Sequence, residues 1–561
     1  MSMHEELSGS EQIEMSVVQQ RLLTVADDVG HILIRGAFSS NIKERRDCST
    51  AVFGATGNLV AQADHMPIHI GSLLWGVRAL LNRYGSDGFE DGEAFVMNDP
   101  YLAGGTHLPD ISIITPVFID RKNCFFVGNI AHHADVGGPT PGSVSGNSPT
   151  IFHEGIRIPP IRIARKGHVD HDVINLITQN TRNPIEGALD LQNQIGANER
   201  GCVLLNEVVQ DHGLQNIQRA ETSIIKYTKR RIQNEVNKLP DGEFTATRFL
   251  DDDGRASEPV TLKVKAIIDG VHLTFDFTGS GNQAGGAVNL SNSSLEATVA
   301  YAVKSLLAPD VPGNSGLFES INTILPERSI VNPISPAAVA ARAVTSNRLA
   351  GAIFDAIGQA LPKEKRMGSS NDSTSLIVLA GFNPETRESF VYPESIGGGA
   401  GARFLADGMD AVHVHTVNST NLPIEVLELE YPLRCNEYSL VVDSGGPGRT
   451  RGGLGIAREI CAVDVECSLT IRSDGHLFAA PGTDGGKSGS TTKIFHKCKN
   501  KNSTELRSKS TLTLKPGESV RVETLGGGGL GPPEQRNSKS VKQDLADGKI
   551  TVEAAKIHYS I

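Results

Sequence analysis

Residues 98–138, NDPYLAGGTHLPDISIITPVFIDRKNCFFVGNIAHHADVGG in part, carry the reading that decides the fold around them. Ile111 to Ile119 (ISIITPVFI) and Cys124 to Ile130 (CFFVGNI) are β-branched and aromatic runs joined by the polar Asp120-Arg121-Lys122-Asn123. Such runs around a short polar connection predict two antiparallel strands and a tight turn. On that reading the Gly-rich turn holding His107 and Asp110 enters the hairpin at the end where His132, His133 and Asp135 leave it. Two imidazoles and a carboxylate then converge on one point, the donor set of an open metal site that keeps a position for water.

Each half has an ordinary alternative. A His-x-x-Asp in a loop is commonly an Asx-type turn, and Ala-His-His-Ala a strand end with one solvated imidazole. Coincidence at one hairpin end favours the metal site. Strand geometry then divides the histidines, because neighbouring side chains face opposite ways and Asp135 falls on the face of His133. One of His132 and His133 is expected to be a ligand. The other, with Asp135, is the candidate orienter, substrate contact or general base.

Outward from this hairpin, Glu11 to Gly36 has helical spacing and ends on glycine, Ala51 to Ala61 reads as a hairpin pivoting on Thr56-Gly57-Asn58, and Gly71 to Tyr84 as a helix. Pro184 to Leu239 is helical with a break at Gly213, predicting two long helices in antiparallel contact. Lys263 to Phe277 forms two strands about Asp269-Gly270, helices follow at Leu295–Leu307 and Ser346–Leu361, and the chain becomes mainly β after Thr374 before a short helical tail. The expected class is α+β: a large, β-rich, multi-layer chain divided at 1–183 (the metal-site region), 184–240 (the helical pair), 241–373 (mixed) and 374–561 (β-rich), or packed as one intimate unit.

Composition narrows the function. The 561 residues are 39% hydrophobic, ample for a buried core, and the net charge of -11 is that of an ordinary soluble protein. Short basic clusters (Lys43 to Arg46, Lys229 to Arg231, Lys497 to Lys509) read as solvated surface, so neither nucleic acid nor membrane is expected as a partner. The acidic, polar N-terminal stretch and the lack of a long apolar run predict a soluble, untargeted, cytoplasmic chain. Seven cysteines without a Cys-x-x-Cys pair predict reduced thiols. Pro481 to Ser488 (PGTDGGKS) lacks the first glycine and the strand–loop–helix setting of a phosphate loop, and the GGGAG and GGGGLG runs at 397–401 and 526–531 read as turns between strands. Val144 occupies the serine place of a nucleophile elbow in GSVSG.

Beside the two metal-site turns, the ordered stretches KERRDCST (43–50), AQADHMPIHIGS (61–72), FHEGIRIPP (152–160), LDDDG (250–254), DFTGS (276–280), HVHTVNSTNLPIEVLE (413–428), SGGPGRTRGGLG (444–455) and GGGGLG resemble the hydantoinase B family over essentially the whole chain. They are similar also to the C-terminal half of 5-oxoprolinase and to the large subunits of acetone and acetophenone carboxylases. The resemblance implies that His107, Asp110 and His132 hold one divalent ion, zinc before manganese or iron, with Asp47 as a further carboxylate ligand. His133 or Asp135 is left as general base or orienter, and His413, His415, Asn418 and Ser419 as substrate contacts. It implies an actin-like ATPase partner of the hydantoinase A type, which holds ATP and magnesium and phosphorylates a ring carbonyl oxygen. Water activated at the metal centre of the present chain then opens the lactam or hydantoin ring, within a hetero-oligomer. The chain departs from the pattern at Cys48, usually a bulky apolar residue, and at His153, often Gln, which leaves the ring substrate open. A ketone carboxylase subunit and a noncatalytic scaffold are the alternatives, and the length and the intact His/Asp set argue against them.

Overall fold

The computed structural model describes residues 9–63, 65–498 and 503–561, with side chains from residue 12 onward. The acidic stretch before residue 9, Asp64 and residues 499–502 of the last basic cluster lie outside the described residues. Helix α1 (Gly9–Gly36) and the one-turn α2 (Ser40–Lys43) lead into β1 (Cys48–Gly54) and β2 (Leu59–Gln62), then α3 (His69–Tyr84) and β3 (Ala94–Met97). The hairpin follows as β4 (Asp110–Ile119) and β5 (Lys122–His132), and β6 (Ile161–Arg165) and β7 (His168–Val169) complete one antiparallel sheet in the order β2-β1-β5-β4-β3-β6-β7. The turn is tighter than expected. Asp120 and Arg121 adopt φ of 47° and 66°, the left-handed pair that matches strand twist, so Lys122 and Asn123 join the strand.

Alternation along β5 assigns its faces. Phe126 and Ile130 pack with Leu73, Leu74 and Val77 of α3, whereas Phe125, Val127 and Ala131 pack with α1 and with Ala197 and Leu205 of α5 (Pro184–His212). The sheet is thus covered on both faces, as its nearly continuous apolar strands require. The short α4 (His171–Thr178) and α6 (Leu214–Val236) flank this layer. Here the helical pair departs from expectation: Gly213, at φ 78°, turns the chain sharply, and α5 packs chiefly on α1 and on β4–β5, while α6 packs on α1 and on α8 (Ser315–Phe318). The sheet and α1 offer those helices more apolar surface than they offer each other.

A second sheet, β11-β10-β9-β8, comprises β8 (Gly242–Leu250), β9 (Val260–Asp269), β10 (His272–Asp276) and the parallel β11 (Ile321–Ile324). Leu262, Val264 and Ala266 bury against Ile353 and Ile357 of α9 (Arg342–Ala360), with α7 (Asn292–Leu307) behind it. Beyond residue 374 lie β12 (Ser375–Asn383), β13 (Glu388–Ile396), α10 (Ile424–Glu430), β14 (Leu433–Leu440), β15 (Ile456–Ala462), β16 (Cys467–Arg472), β17 (Lys493–Lys497), β18 (Thr504–Glu505), β19 (Lys509–Leu514) and β20 (Ser519–Glu523). They form sheets β13-β12-β16-β19 and β14-β15-β20-β17-β18, which share a core of Ile377, Leu379, Leu469, Ile460, Val520 and Val522. Helices α11 (Ser538–Ala546) and α12 (Val552–Tyr559) close the chain, and no helix among the described residues is long and apolar enough to cross a membrane.

The glycine runs are not turns. Extended segments around residues 399–402, 445–453, 481–489 and 525–530 lie side by side and exchange backbone hydrogen bonds, among them Gly446 N to Gly527 O (2.8 Å), Gly527 N to Gly453 O (2.9 Å), Gly453 N to Ala400 O (2.8 Å) and Gly529 N to Lys487 O (2.9 Å). A Cβ on Gly527 would stand 2.0 Å from Ala400 O and one on Gly399 1.9 Å from Gly453 O, so glycine is required by close backbone approach. The PGTDGGKS segment joins this bundle through Lys487 N to Pro447 O (2.7 Å), and within it the expected turn is present at Asp484-Gly485, closed by Gly486 N to Thr483 O (3.0 Å).

Candidate metal centre

Three strand ends meet at one edge of the first sheet. Asp110 opens β4 and pairs in register with His132, the last residue of β5; Ala131 pairs with Cys48, so Asp47 sits just beyond β1, where its carbonyl accepts from His132 N at 2.9 Å. His107 joins them from the loop before β4, whose turn is closed by Asp110 N to His107 O at 3.1 Å. That loop is pinned by Asn98, which donates to the Leu108 and Ile156 carbonyls and accepts from Ile158 N, and by the Asx turn of Asp99 over Tyr101 and Leu102. The Asx turn thus falls on Asp99, upstream of the His-x-x-Asp motif, and serves to hold that motif in place.

Donor atoms of His107, Asp110 and His132 all lie within 4.8 Å of one another, and all three residues are buried. His107 Nδ1 faces Ala340 O at 3.2 Å, which places the proton there and turns the bare Nε2 toward Asp110 Oδ1 at 3.3 Å. Burial first, then the charge of Arg342, pushes the His107 pKa down to about 3, and burial with three nearby arginines does the same to His132. Both imidazoles are therefore neutral at neutral pH, with lone pairs to give. Asp110 is held by Arg342 Nη2 at 2.7 Å and by the Thr106 hydroxyl, both on Oδ2, which leaves Oδ1 free.

Sequence reasoning missed His69. It is the first residue of α3, the helix on the face to which His132 points, and its Nε2 lies 3.5 Å from Asp110 Oδ2 and 3.8 Å from Asp47 Oδ1. Ser49 Oγ, whose own hydrogen is engaged by carbonyls, accepts at His69 Nδ1 (3.3 Å). The signal was available in PIHIGS, where a histidine opens a helix directly after the strand pair that carries Asp47. Buried side-chain atoms without a hydrogen-bond partner include Asp47 Oδ1, His69 Nε2, His107 Nε2, Asp110 Oδ1 and His413 Nε2. Buried polar groups are otherwise almost always paired, so the first four of these lone-pair atoms, orphaned in one region, fit a cation that they would share.

His133 and Asp135 do not join this group. His133, on the opposite face, donates from Nε2 to Gln194 Oε1 at 2.9 Å within an amide network of Asn129 on β5 with Gln194 and Asn198 on α5. Asp135 is committed elsewhere: its oxygens accept from the amides of Gly137, Gly142 and Arg182 and from the Arg182 guanidinium. The strand ends at His132, so strand alternation no longer governs Asp135. The 413–419 segment is divided as well. His413, hydrogen-bonded to the Ser395 backbone and pushed to about 4 by burial and Arg45, lies beside Asp47. His415 instead binds Asp372 at 2.7 Å and lines a separate cavity of about 350 Å³ with Arg248, Phe354 and Asp355. Asn418 is exposed and reaches the His65 carbonyl at 3.3 Å, whereas Ser419 is buried. His153 is exposed, bonded to Thr150, and does not shape the centre.

The family model for hydantoinase B/oxoprolinase matches residues 11–533. The chain belongs to that family. A protein of Pseudomonas sp. (strain NS671), named for the B component of a D-/L-hydantoinase, is 31% identical over all of this chain and 96% of its own length. The 5-oxoprolinase of Dictyostelium discoideum is 32% identical over 92% of the chain, which corresponds to 40% of that longer protein. Among solved structures, the ATP-dependent caprolactamase from Pseudomonas jessenii superposes with a TM-score of 0.89 at 26% identity, covering 98% of this chain and 96% of that one.

Proposed function

We propose that this chain is the ring-opening component of an ATP-dependent cyclic amidase. It would act on a lactam or hydantoin whose carbonyl oxygen has been phosphorylated by an actin-like ATPase partner of the hydantoinase A type. The single observation that carries the reading is the set of orphaned lone pairs on Asp47, His69, His107 and Asp110, beside the neutral imidazole of His132. His107, Asp110 and His132 would hold one divalent ion, zinc by preference, with Asp47 and His69 completing the set. A bound ion supplies Lewis acidity and lowers the pKa of water toward ~7. Amide resonance makes an unactivated ring a poor electrophile, which is why a phosphorylated substrate is required.

The chain's own groups do the rest. His413 Nε2, neutral and without a hydrogen-bond partner, would accept a proton from the attacking water, and phosphate leaves as the ring C–N bond opens. Arg342 keeps Asp110 ionised and aimed, and Ala340 O fixes the His107 tautomer. His133 and Asp135 hold the strand end and its following loop in place, acting on the centre through position. A relative named for the B component of a hydantoinase supports a partner chain, and the solved structure titled ATP-dependent caprolactamase supports coupling to ATP.

The test is a panel of hydantoin, 5-oxoproline and caprolactam assayed with ATP, with the chain alone and after co-expression with a hydantoinase A-type ATPase. Turnover is expected only with both chains and ATP, and His107→Ala should reduce it by roughly 100-fold or more while nucleotide hydrolysis by the partner continues. Ring opening by this chain alone without ATP would overturn the reading.

A further inference from the structure

Three arginines close around the same carboxylates, and their charge exceeds what those carboxylates neutralise. Arg45, in the loop after α2, donates from Nη1 to Asn41 Oδ1 (2.6 Å) and to the Pro393 carbonyl (2.5 Å), yet its Nε and Nη2 have no partner. Arg342, at the start of α9, spends Nη2 on Asp110 and Thr106 and leaves Nε unpaired. Arg472, the last residue of β16, donates from Nη1 to Ala340 O at 2.9 Å and also leaves Nε unpaired. All three are at most 5% exposed. They converge on the same ligands: Arg342 holds Asp110, Arg472 shares the Ala340 carbonyl with His107 Nδ1, and Arg45 binds Asn41, whose amide donates to the His132 carbonyl.

The charges can be counted. Asp47 and Asp110 offer two buried carboxylates against the three buried guanidinium groups of Arg45, Arg342 and Arg472. Other nearby acids are committed elsewhere: Glu394 pairs with Arg458 at 2.8 Å, and Glu154, pushed up to about 8 by burial, accepts from the amides of Val339 and Ala340. The region is therefore positive by one, and a divalent ion would make it positive by three. Burial of such an excess is costly unless an anion joins it. Crowding already tells on Arg472, pulled down to about 9 by burial and by Arg342. The free N–H groups are guanidinium edges, which match tetrahedral oxyanions, and the N-terminal dipole of α9 adds to them at Arg342.

We infer that Arg45, Arg342 and Arg472 form an oxyanion pocket that takes the phosphoryl group of the activated substrate beside the divalent ion. This rests on the proposed reaction, since phosphorylation of the ring oxygen is what delivers that group. The pocket orients the ring carbon toward the cluster and balances the charge that the ion brings.

The probe is inorganic phosphate, titrated calorimetrically into the full-length, zinc-loaded protein, with bicarbonate in a parallel arm. Saturable phosphate binding is expected, weakened roughly tenfold or more in Arg472→Met and less in Arg472→Lys, with bound zinc unchanged in both. Should Arg472→Met fail to fold, Arg472→Lys and Arg45→Lys carry the comparison, because they keep the charge and lose the fork. The proposal is overturned if the wild-type protein binds no phosphate up to roughly 10 mM, if it binds bicarbonate alone, or if the substitutions leave phosphate affinity unchanged. Ring opening by the two-chain complex without phosphate binding would sink the pocket and spare the reaction. Phosphate binding without ring opening on any substrate would do the reverse.

Discussion

Arg342 Nη2 lies 2.7 Å from Asp110 Oδ2, and this buried pair ties the first turn of α9 to the first residue of β4, 232 positions earlier in the chain. Neither charge has water to fall back on. Arg342→Met should therefore cost about 3–5 kcal/mol, the range for stranding one member of a buried pair. Adding Asp110→Asn should recover part of that loss, since the stranded charge is then gone. Guanidinium denaturation of the two single variants and the double variant measures the coupling, and strict additivity of the two losses would show that the pair does not interact.

Metal content separates the residues of the centre. The purified protein should carry about one divalent ion per chain, and His107→Ala, Asp110→Asn and His132→Ala should each remove it. His69→Ala, which removes one of the completing ligands, should weaken retention without abolishing it. Elemental analysis after dialysis against a graded chelator reads both effects. Retention of stoichiometric metal by both His107→Ala and His132→Ala would refute the assignment.

His133→Ala gives the complementary result. Its imidazole serves the Gln194 network on the far face of the sheet, so the variant should keep its metal and lose about 1–3 kcal/mol for the acceptor left unpaired. Gln194→Leu should show a comparable loss. If His133→Ala sheds the metal, the strand faces have been assigned the wrong way round.

Glu154 supplies a pH signature independent of the metal ligands. Burial raises its carboxyl from 4.5 to about 8, against the opposing pull of the Ala340 and Val339 amides. A raised folded pKa means that the folded chain holds the proton where the unfolded chain has lost it. Stability from this group is thus complete below about pH 4.5 and is lost as pH rises to about 8, at up to ~1.4 kcal/mol per pH unit. Glu154→Gln should flatten the fall in stability between pH 6 and 8 that the wild-type protein shows. Identical profiles for the two proteins would mean that Glu154 is ionised in the folded state.

How far the sequence could be read depended on the range of the interactions. The hairpin was legible because β-branched alternation and a polar turn are local patterns, and the meeting of Asp110 and His132 follows from hairpin register, with His107 brought in by the short turn before β4. Asp135 was placed by extending the strand past His132, where the chain in fact leaves the sheet. Arg342 and Arg472 reach the centre from the ends of α9 and β16, hundreds of residues away, and no local pattern marks such a contact. His413 and His415 were read as one wall, but His415 takes a left-handed φ of 58° and turns to a different cavity. The glycine runs failed for another reason: composition reports backbone freedom and close backbone approach with the same letter.

That bundle has a thermodynamic consequence. Where chain segments meet through amides and carbonyls with no Cβ between them, unfolding exposes peptide groups and little hydrocarbon, and polar exposure lowers the heat capacity where apolar exposure raises it. The glycine bundle should therefore contribute little to the heat-capacity increment of unfolding, and its hold on the chain should persist on cooling better than that of the two sheets beside it. Deuterium should accordingly enter the amides of Gly446, Gly453 and Gly527 as slowly as those of a central strand, although these residues belong to no helix or sheet.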